Sequence, residues 1–197
     1  MASATLTEDA NKKDASVDIA VNGDVAFIVG PSCRRLRVYS LVLTNASTVF
    51  NAMLGPQFKE GHQLAQPGLT EIELPEDNAE AIEIVFNIIH GRNDRVSDTL
   101  DPGELLQVAI IIDKYDCLIP LAFAMKLWLK SVSITDPVQM WTLAMVGVVL
   151  RREEMFAEAT SALVLNYTET YLSLTNMHGE LPDPMIQLRI AVRGSPG

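Results

Sequence analysis

The order of strand-like and helical patterns along the chain restricts its fold class more than any other feature. Segments with strand character are confined to the first 75 residues, and the later patterned segments follow the helical period. Strands followed by helices are typical of the α+β class, in which helices are segregated from a small sheet. The sequence therefore predicts an α+β unit that continues into an all-α C-terminal extension.

Three strands are predicted. Residues 25–29 are rich in β-branched and aromatic side chains and lie between two turn sequences. Residues 35–39 alternate polar and apolar side chains after the second turn, so these two segments predict a hairpin with one face inward. Residues 70–74 alternate again and stop before Pro75. The expectation is a small three-stranded sheet packed with a helical cluster.

Apolar side chains at helical spacing predict two helices between and after these strands. The first is expected to have Asn45 as its N-cap and to end at Gly55-Pro56, followed by a loop over residues 57–68. The second is expected to end at Gly91. The apolar positions are Val49, Phe50, Met53 and Leu54 in the first helix, and Ile82, Val85, Phe86 and Ile89 in the second.

Asp-Pro pairs mark helix starts in the remainder of the chain. They occur at Asp101-Pro102, Asp136-Pro137 and Asp183-Pro184, each before an apolar run. An acidic N-cap with proline at the first helical position is a start signal, and Glu104 would complete a capping box with Asp101. Further apolar faces occur within residues 118–129 and 153–166, so the sequence predicts successive helices in the C-terminal half of the chain.

Charge and cysteine content argue against several classes of function. The formal net charge of −10 repels phosphate backbones, so direct binding to nucleic acid is not expected. Cys33 and Cys117 are far apart and no secretory leader precedes them, which predicts reduced thiols inside the cell, in the cytoplasm or the nucleus. The most apolar run covers about ten residues, whereas a bilayer needs about 20, so no membrane partner is predicted.

Catalytic and ligand-binding motifs are not found in the sequence. His62, His90 and His178 are isolated from other metal-ligating residue types and are assigned to structure or surface, so no metal is expected. No nucleophile elbow or phosphate-binding glycine loop occurs, so neither a cofactor nor an enzymatic activity is expected. Two alternatives stay open: a small enzyme whose site is assembled from scattered residues, and a transcription-factor fragment that reaches DNA through a partner.

A series of short motifs carries a resemblance to a known family. In order they are Gly23-Asp24-Val25, Arg37-Val38-Tyr39-Ser40, Ser47-x-x-Phe50, Met53-Leu54, Phe58-Lys59-Glu60-Gly61, Ile72-x-Leu74-Pro75-Glu76-Asp77, Asn87-Ile88-Ile89-His90-Gly91 and Asp113-Lys114-Tyr115-Asp116-Cys117. No single motif is specific, but the order and spacing of the motifs over about a hundred residues resemble a BTB/POZ domain. The residues within the motifs are similar to those of the stand-alone BTB proteins of filamentous fungi. Two departures are visible. Tyr39 stands where the family most often has histidine, and residues 15–22 lack the amphipathic helix that builds a swapped dimer in many animal members.

The resemblance implies a domain organisation and a function. It implies a BTB/POZ domain over residues 21–131. The charged N-terminal segment predicts a disordered tail over residues 1–20, and the later helical patterns predict a helical extension over residues 132–193 before a short tail over residues 194–197. It also implies an adaptor that acts through protein partners, either by forming a homodimer or by docking another protein.

The resemblance further implies a narrower alternative. In this family a hydrophobic-x-Glu triplet can dock the cullin scaffold of a ubiquitin ligase, and Phe58-Lys59-Glu60 matches that pattern. An aromatic anchor beside a carboxylate is an arrangement that can act as a binding hot spot. The competing interpretation, in which Phe58 covers the edge of the sheet and Glu60 is solvated, is left open.

Overall fold

The structure is a computed structural model that describes residues 16–64, 68–132, 136–167 and Leu174. These residues form two compact units. The first contains the described residues up to Val96 together with Tyr115–Leu121. The second contains Ser97–Lys114 and the described residues from Ala122 onward, so the two units alternate along the chain.

A four-stranded sheet forms the framework of the first unit. Its strands are β1 (Ser16–Asp18), β2 (Val25–Val29), β3 (Arg34–Val38) and β4 (Thr70–Leu74), in the order β1-β3-β2-β4. β2 and β3 pair antiparallel, whereas β1 runs parallel to β3 and β4 runs parallel to β2. Phe27 lies between Leu36 and Ile72 on the neighbouring strands, and all three side chains are buried. Burial of this row sets the register, because a one-residue slip would turn the row to the opposite face.

The sheet contains one strand more than the sequence predicts. The hairpin of β2 and β3 and the third strand are confirmed, but residues 16–18, expected to lie in the disordered tail, form the edge strand β1. The backbone amides of Ile19 and Ala20 donate hydrogen bonds to the Arg37 carbonyl and continue this attachment. The three described residues of β1 are too few to show a period-two pattern. Residues 1–15 of the expected tail lie outside the described residues.

Among the described residues, four α-helices lie wholly within the first unit, and two sequence predictions about them are wrong. The helices are α1 (Ser40–Ala46), α2 (Thr48–Met53), α3 (Lys59–Leu64) and α4 (Ala79–Ile89). The predicted cap, Asn45, lies within α1, and Ser47 caps α2 by accepting a hydrogen bond from the Phe50 amide at 2.9 Å. The predicted loop over residues 57–68 contains α3, whose six residues are too few to show a helical period.

The later helices are α5 (Pro102–Lys114), α6 (Leu118–Ser131), α7 (Pro137–Val149) and α8 (Glu153–Asn166). α6 begins in the first unit and continues in the second. Two predicted Asp-Pro starts are confirmed. Asp101 accepts from the Glu104 amide at 2.9 Å while Glu104 accepts from the Asp101 amide at 3.0 Å, and Asp136 accepts from the Val138 amide at 3.2 Å. The third pair, Asp183-Pro184, lies outside the described residues.

A cluster of aromatic rings lies in the core of the first unit. Phe27, Phe50 and Phe86 lie with ring centroids 5.2–5.9 Å apart, and Tyr115 stacks on Phe50 at 4.4 Å. Each ring comes from a different element, so the cluster joins the sheet to α2, α4 and the segment at Tyr115. Removing one such side chain costs about 3–5 kcal/mol in a well-packed core, which makes this cluster the main hydrophobic anchor of the unit.

The second unit is built around α7, most of which is buried. Residues 140–147 of this helix are all buried. A Cβ on Gly147 would lie 2.9 Å from the Phe156 nitrogen and 3.1 Å from its Cα, so this glycine lets α7 and α8 approach closely. Trp128 of α6 is also buried and donates its indole N–H to the Ser97 carbonyl at 2.9 Å.

The sequence analysis expects a BTB/POZ domain to end at residue 131 and a helical extension to end at residue 193. These two boundaries stay predictions. The two compact units divide the chain elsewhere, because α5 belongs to the second unit while residues 115–121 return to the first.

Candidate interaction surfaces

The triplet Phe58-Lys59-Glu60 lies at the start of α3. Phe58 precedes the helix and is 51% exposed, and Glu60 occupies the first turn and is half-buried. The Phe58 amide donates to the Gly55 carbonyl at 3.2 Å, and the Phe58 carbonyl accepts from the His62 amide at 3.1 Å. The aromatic ring is therefore presented by a hydrogen-bonded turn with about half of its surface accessible.

A glycine fixes where this turn lies. A Cβ on Gly61 would come within 1.8 Å of the Gly55 oxygen and 2.8 Å of the Leu54 oxygen. Any side chain at position 61 must therefore push α3 away from the end of α2, and the triplet would move with it. Gly61 is thus a positioning residue for Phe58 and Glu60, although the sequence pattern marks it only as the residue after the triplet.

A second surface surrounds the contact between Asp24 and Ser40. Asp24 accepts hydrogen bonds from the Ser40 amide at 2.7 Å and from its hydroxyl at 2.5 Å. Gly23 lies directly against the Val38 backbone, because a Cβ there would be 2.2 Å from the Val38 oxygen. The turn before β2 is therefore held firmly against the start of α1.

Large apolar side chains flank this contact on both segments. Val21 on the turn is 68% exposed, Leu41 in the first turn of α1 is 70% exposed, and the ring of Tyr39 beside them is also exposed. We refer to Val21, Tyr39 and Leu41 as the α1 patch. Single exposed apolar residues are ordinary, whereas a contiguous apolar patch can mark a surface that binds another protein, so the α1 patch is a candidate for such a surface.

His90 supports the α1 patch from the end of α4. Its Nε2 accepts a hydrogen bond from the Tyr39 amide at 3.1 Å, and its Nδ1 lies 2.8 Å from the Phe86 carbonyl, to which it donates. This pair of contacts requires the neutral ring with the proton on Nδ1. Burial lowers the pKa of His90, with the Phe86 carbonyl opposing part of that effect. The sequence analysis assigns His90 only to a structural or surface role. The structure shows that this role is to link the Tyr39 amide to the Phe86 carbonyl.

The arginines of β3 are engaged in local contacts. Arg34 lies 2.5 Å from a carboxylate oxygen of Glu83, and Arg35 lies 3.1 Å from one of Glu71. Arg37 donates from Nε to the Gly23 carbonyl at 2.8 Å. These side chains therefore satisfy neighbours within the first unit and do not form an open basic face.

The buried polar groups of the first unit make hydrogen bonds that hold its segments together. Tyr115 donates its hydroxyl to Asp77 at 2.5 Å, and its carbonyl accepts from the Ser47 hydroxyl. Burial, reinforced by Asp77, raises the pKa of Tyr115, and burial raises the pKa of Cys117 to about 11. Both groups stay protonated near neutral pH, so neither is an activated nucleophile or base.

A cavity of about 650 Å³ opens on the second unit. Its walls include the apolar side chains of Leu129, Leu143 and Met155, and its remaining lining residues are Arg151, Arg152, Glu153, Glu154 and Glu158. Two positive and three negative side chains largely offset one another. The cavity therefore lacks the field of one sign that would select a charged small molecule.

Among the residues that the structure describes, no three His, Cys, Asp or Glu side chains lie together in a way that could hold a metal ion. None of the helices in the described ranges has the length and apolar character needed to cross a bilayer. His178 lies outside those ranges.

Comparison with known proteins does not assign the chain to a family. A scan against protein-family models finds no match, and a search of curated proteins finds no matching protein.

Proposed function

We propose that this chain is a non-enzymatic protein-interaction module of the BTB/POZ type, which binds a protein partner or a second copy of itself through the α1 patch. The observation that carries the proposal is the exposure of Val21, Tyr39 and Leu41 around the hydrogen-bonded contact of Asp24 with Ser40. Fully burying a Val or Leu side chain contributes about 1.5–3 kcal/mol, so covering this patch would favour association.

The residues that carry the family resemblance also support the proposal, because they make the contacts that shape the first unit. Gly23 allows the close approach to Val38, Asp24 holds Ser40, and Ser47 caps α2. Phe50 and Tyr115 stack in the core.

The test replaces Leu41 with aspartate and measures binding. L41D places a charge on a residue that is already exposed, so the fold should survive, which circular dichroism checks. We expect L41D to lose self-association in light scattering, or to lose a protein that the wild-type chain retains from lysate. Asp98→Lys, an exposed charge change in the second unit, is the matched control. Binding by L41D equal to that of the wild type would refute the role of the patch.

A cullin-type ubiquitin ligase adaptor is a second candidate, and the half-exposed ring of Phe58 favours it. In this proposal Phe58 would enter an apolar pocket of the cullin scaffold, and Glu60 would orient the contact. The double variant Phe58→Ala with Glu60→Ala should then lose binding to a purified cullin scaffold, while Lys59→Ala should retain it. Equal binding by all three proteins would exclude this contact.

A further inference from the structure

The start of α1 is joined to the end of α4 through His90. Tyr39 is the residue before α1, and its backbone amide donates to Nε2 of His90 at 3.1 Å. The rings of the two residues also stack, with centroids 6.5 Å apart and planes inclined by 22°. The two residues are 51 positions apart in the sequence, so both contacts exist only in the folded chain.

Tyr39 in turn sets the first turn of α1. Its carbonyl accepts hydrogen bonds from the amides of Val42 and Leu43 at 3.2 and 3.3 Å, so it begins the hydrogen bonding of the helix. Leu41 lies within this turn and is exposed. A reorientation of the Tyr39 backbone therefore changes the positions of two of the three side chains of the α1 patch.

Protonation of His90 is incompatible with its present contacts. The neutral ring donates from Nδ1 to the Phe86 carbonyl and accepts at Nε2, whereas the imidazolium carries a proton on both nitrogens and cannot accept. With Nδ1 still bound to Phe86, the new N–H at Nε2 would point at the N–H of Tyr39. Two donors would then meet, so one of them must turn away. Because Tyr39 is exposed, water can replace the ring as the acceptor for its amide.

The charged groups around this site are engaged in contacts of their own. The main elements that pack against α4 are α1, β3 and the short 3₁₀ helix Asn93–Arg95. α1 contains no charged residue, Asp24 beside it is bound to the first residue of that helix, and the acidic residues of α4 contact Arg34. The charged side chains of the other two elements, each bound to a partner, are Arg34, Arg35, Arg37, Asp94 and Arg95. Burial is the leading influence on the pKa of His90 and lowers it.

We infer that protonation of His90 releases the Tyr39 amide and weakens binding through the α1 patch, so that the patch binds at neutral pH and loses its partner as the pH falls. The effect on binding rests on the proposed function, whereas the release of Tyr39 does not. His90 acts through Tyr39 and is therefore a positioning residue. If only chains with a neutral His90 are competent, the apparent Kd rises about tenfold for each pH unit below the folded pKa.

The first test follows the release of Tyr39 without any partner. Nuclear magnetic resonance of the full chain between pH 7.5 and pH 5 would record the His90 ring protons, the amide shifts of Tyr39 and Leu41, and the protection of the Tyr39 amide against hydrogen exchange. We expect both amide shifts to follow the ring with one midpoint below about pH 6.5, and protection of the Tyr39 amide to be lost over the same range. Loss of protection distinguishes a broken hydrogen bond from the field of a nearby charge.

Two variants control this titration. His90→Gln offers a side-chain carbonyl that can accept from Tyr39 and does not titrate, so its Tyr39 amide should stay protected at every pH. His62→Gln should behave as the wild type, because His62 lies in α3. Circular dichroism at each pH checks the fold. Protection of Tyr39 that persists in the wild type while His90 titrates would overturn the inference, whether or not His90→Gln folds.

The second test measures self-association by sedimentation equilibrium over the same pH range. The Kd of the wild type should rise about tenfold or more for each pH unit below the folded pKa of His90, while that of His90→Gln should stay constant. All three proteins gain the same charge at their other groups as the pH falls, so a difference between them reports His90. Equal pH dependence in the wild type and His90→Gln would overturn the inference.

The results separate this inference from the proposed function. A dimer that L41D abolishes, but whose wild-type Kd does not change with pH, would support the α1 patch and overturn its control by His90. A wild-type chain that is monomeric at pH 7.5 would count against self-association through the patch. The protection of the Tyr39 amide would then decide the inference, because its loss on protonation supports the switch and its persistence refutes it.

Discussion

The hydroxyl of Tyr115 donates a hydrogen bond to Asp77 Oδ2 at 2.5 Å and joins two buried residues that are 38 positions apart in the sequence. The same ring stacks on Phe50, and the backbone carbonyl of Tyr115 accepts from Ser47. Three different contacts thus tie the segment at Tyr115 to the rest of the first unit.

Replacing Tyr115 with phenylalanine tests the value of that hydrogen bond. The ring and its stacking on Phe50 would be retained, while the bond to the Asp77 carboxyl group would be lost. Hydrogen bonds to charged groups contribute about 1.5–3 kcal/mol, so we expect the free energy of unfolding in urea to fall by that amount. The exposed Tyr39 provides the control, because Tyr39→Phe should change stability by less than about 0.5 kcal/mol. Equal effects of the two variants would show that the contact with Asp77 does not stabilise the fold.

The neutral ring of His90 predicts a pH-dependent stability. Because burial lowers the pKa of this histidine in the folded state, the unfolded chain binds its proton first as the pH falls. Stability should therefore decrease from about pH 6.5 down to the lowered folded pKa and be unaffected by His90 above pH 6.5. The free energy of unfolding of the wild type and of His90→Gln should be compared at pH 7.5 and pH 5.5.

The wild type should lose more stability between these two pH values than His90→Gln does. The exposed His62 supplies the control, since His62→Gln should keep the wild-type dependence. If the three proteins share one pH profile, protonation of His90 does not limit the stability of the fold.

Gly61→Ala should move the triplet that contains Phe58. The new Cβ would overlap the Gly55 carbonyl, so α3 must shift, and overpacking of this kind costs about 1–3 kcal/mol. Urea unfolding would measure the cost, and amide chemical shifts of residues 58–64 would report the movement. Gly103→Ala is the milder comparison, because its Cβ would meet only Asp101 Oδ1 at 3.2 Å. Unchanged shifts in Gly61→Ala would mean that Gly61 does not position the triplet.

The capping box at the start of α5 should contribute measurably to the second unit. Asp101→Ala removes the acceptor for the Glu104 amide, and loss of an N-cap side chain costs about 1 kcal/mol. Thermal unfolding followed by circular dichroism should show a lower Tm for Asp101→Ala than for Asp98→Ala, which lies in the preceding loop. Equal Tm values would place the stabilising contacts of this helix start elsewhere.

Local signals in the sequence predicted much of the fold. The β2–β3 hairpin follows from alternation between turn residues, and the starts at Asp101 and Asp136 follow from their caps, because each of these features depends on neighbours within a few residues. β1 and α3 were missed because their segments are too short for a period. The predicted cap of α2 is wrong because Asn45 and Ser47 are both residue types that cap helices. The hydrogen bond that Ser47 donates to Tyr115 could not decide between them at the level of sequence, because Tyr115 is 68 positions away.

The candidate surfaces were predicted less completely. The sequence indicated Phe58 and Glu60 through the family resemblance, and the exposure of Phe58 is a property that only the fold determines. The α1 patch depends on the hydrogen bond between Asp24 and Ser40, which no local pattern reveals.

Within the part of the chain that the structure describes, the order of the sheet places its edges on β1 and β4. β4 turns Glu71 and Glu73 toward solvent. Short or charged edge strands resist pairing with a strand from another molecule. The β4 edge is therefore a poor template for a strand from another molecule, and we expect fibre growth from this edge to be disfavoured.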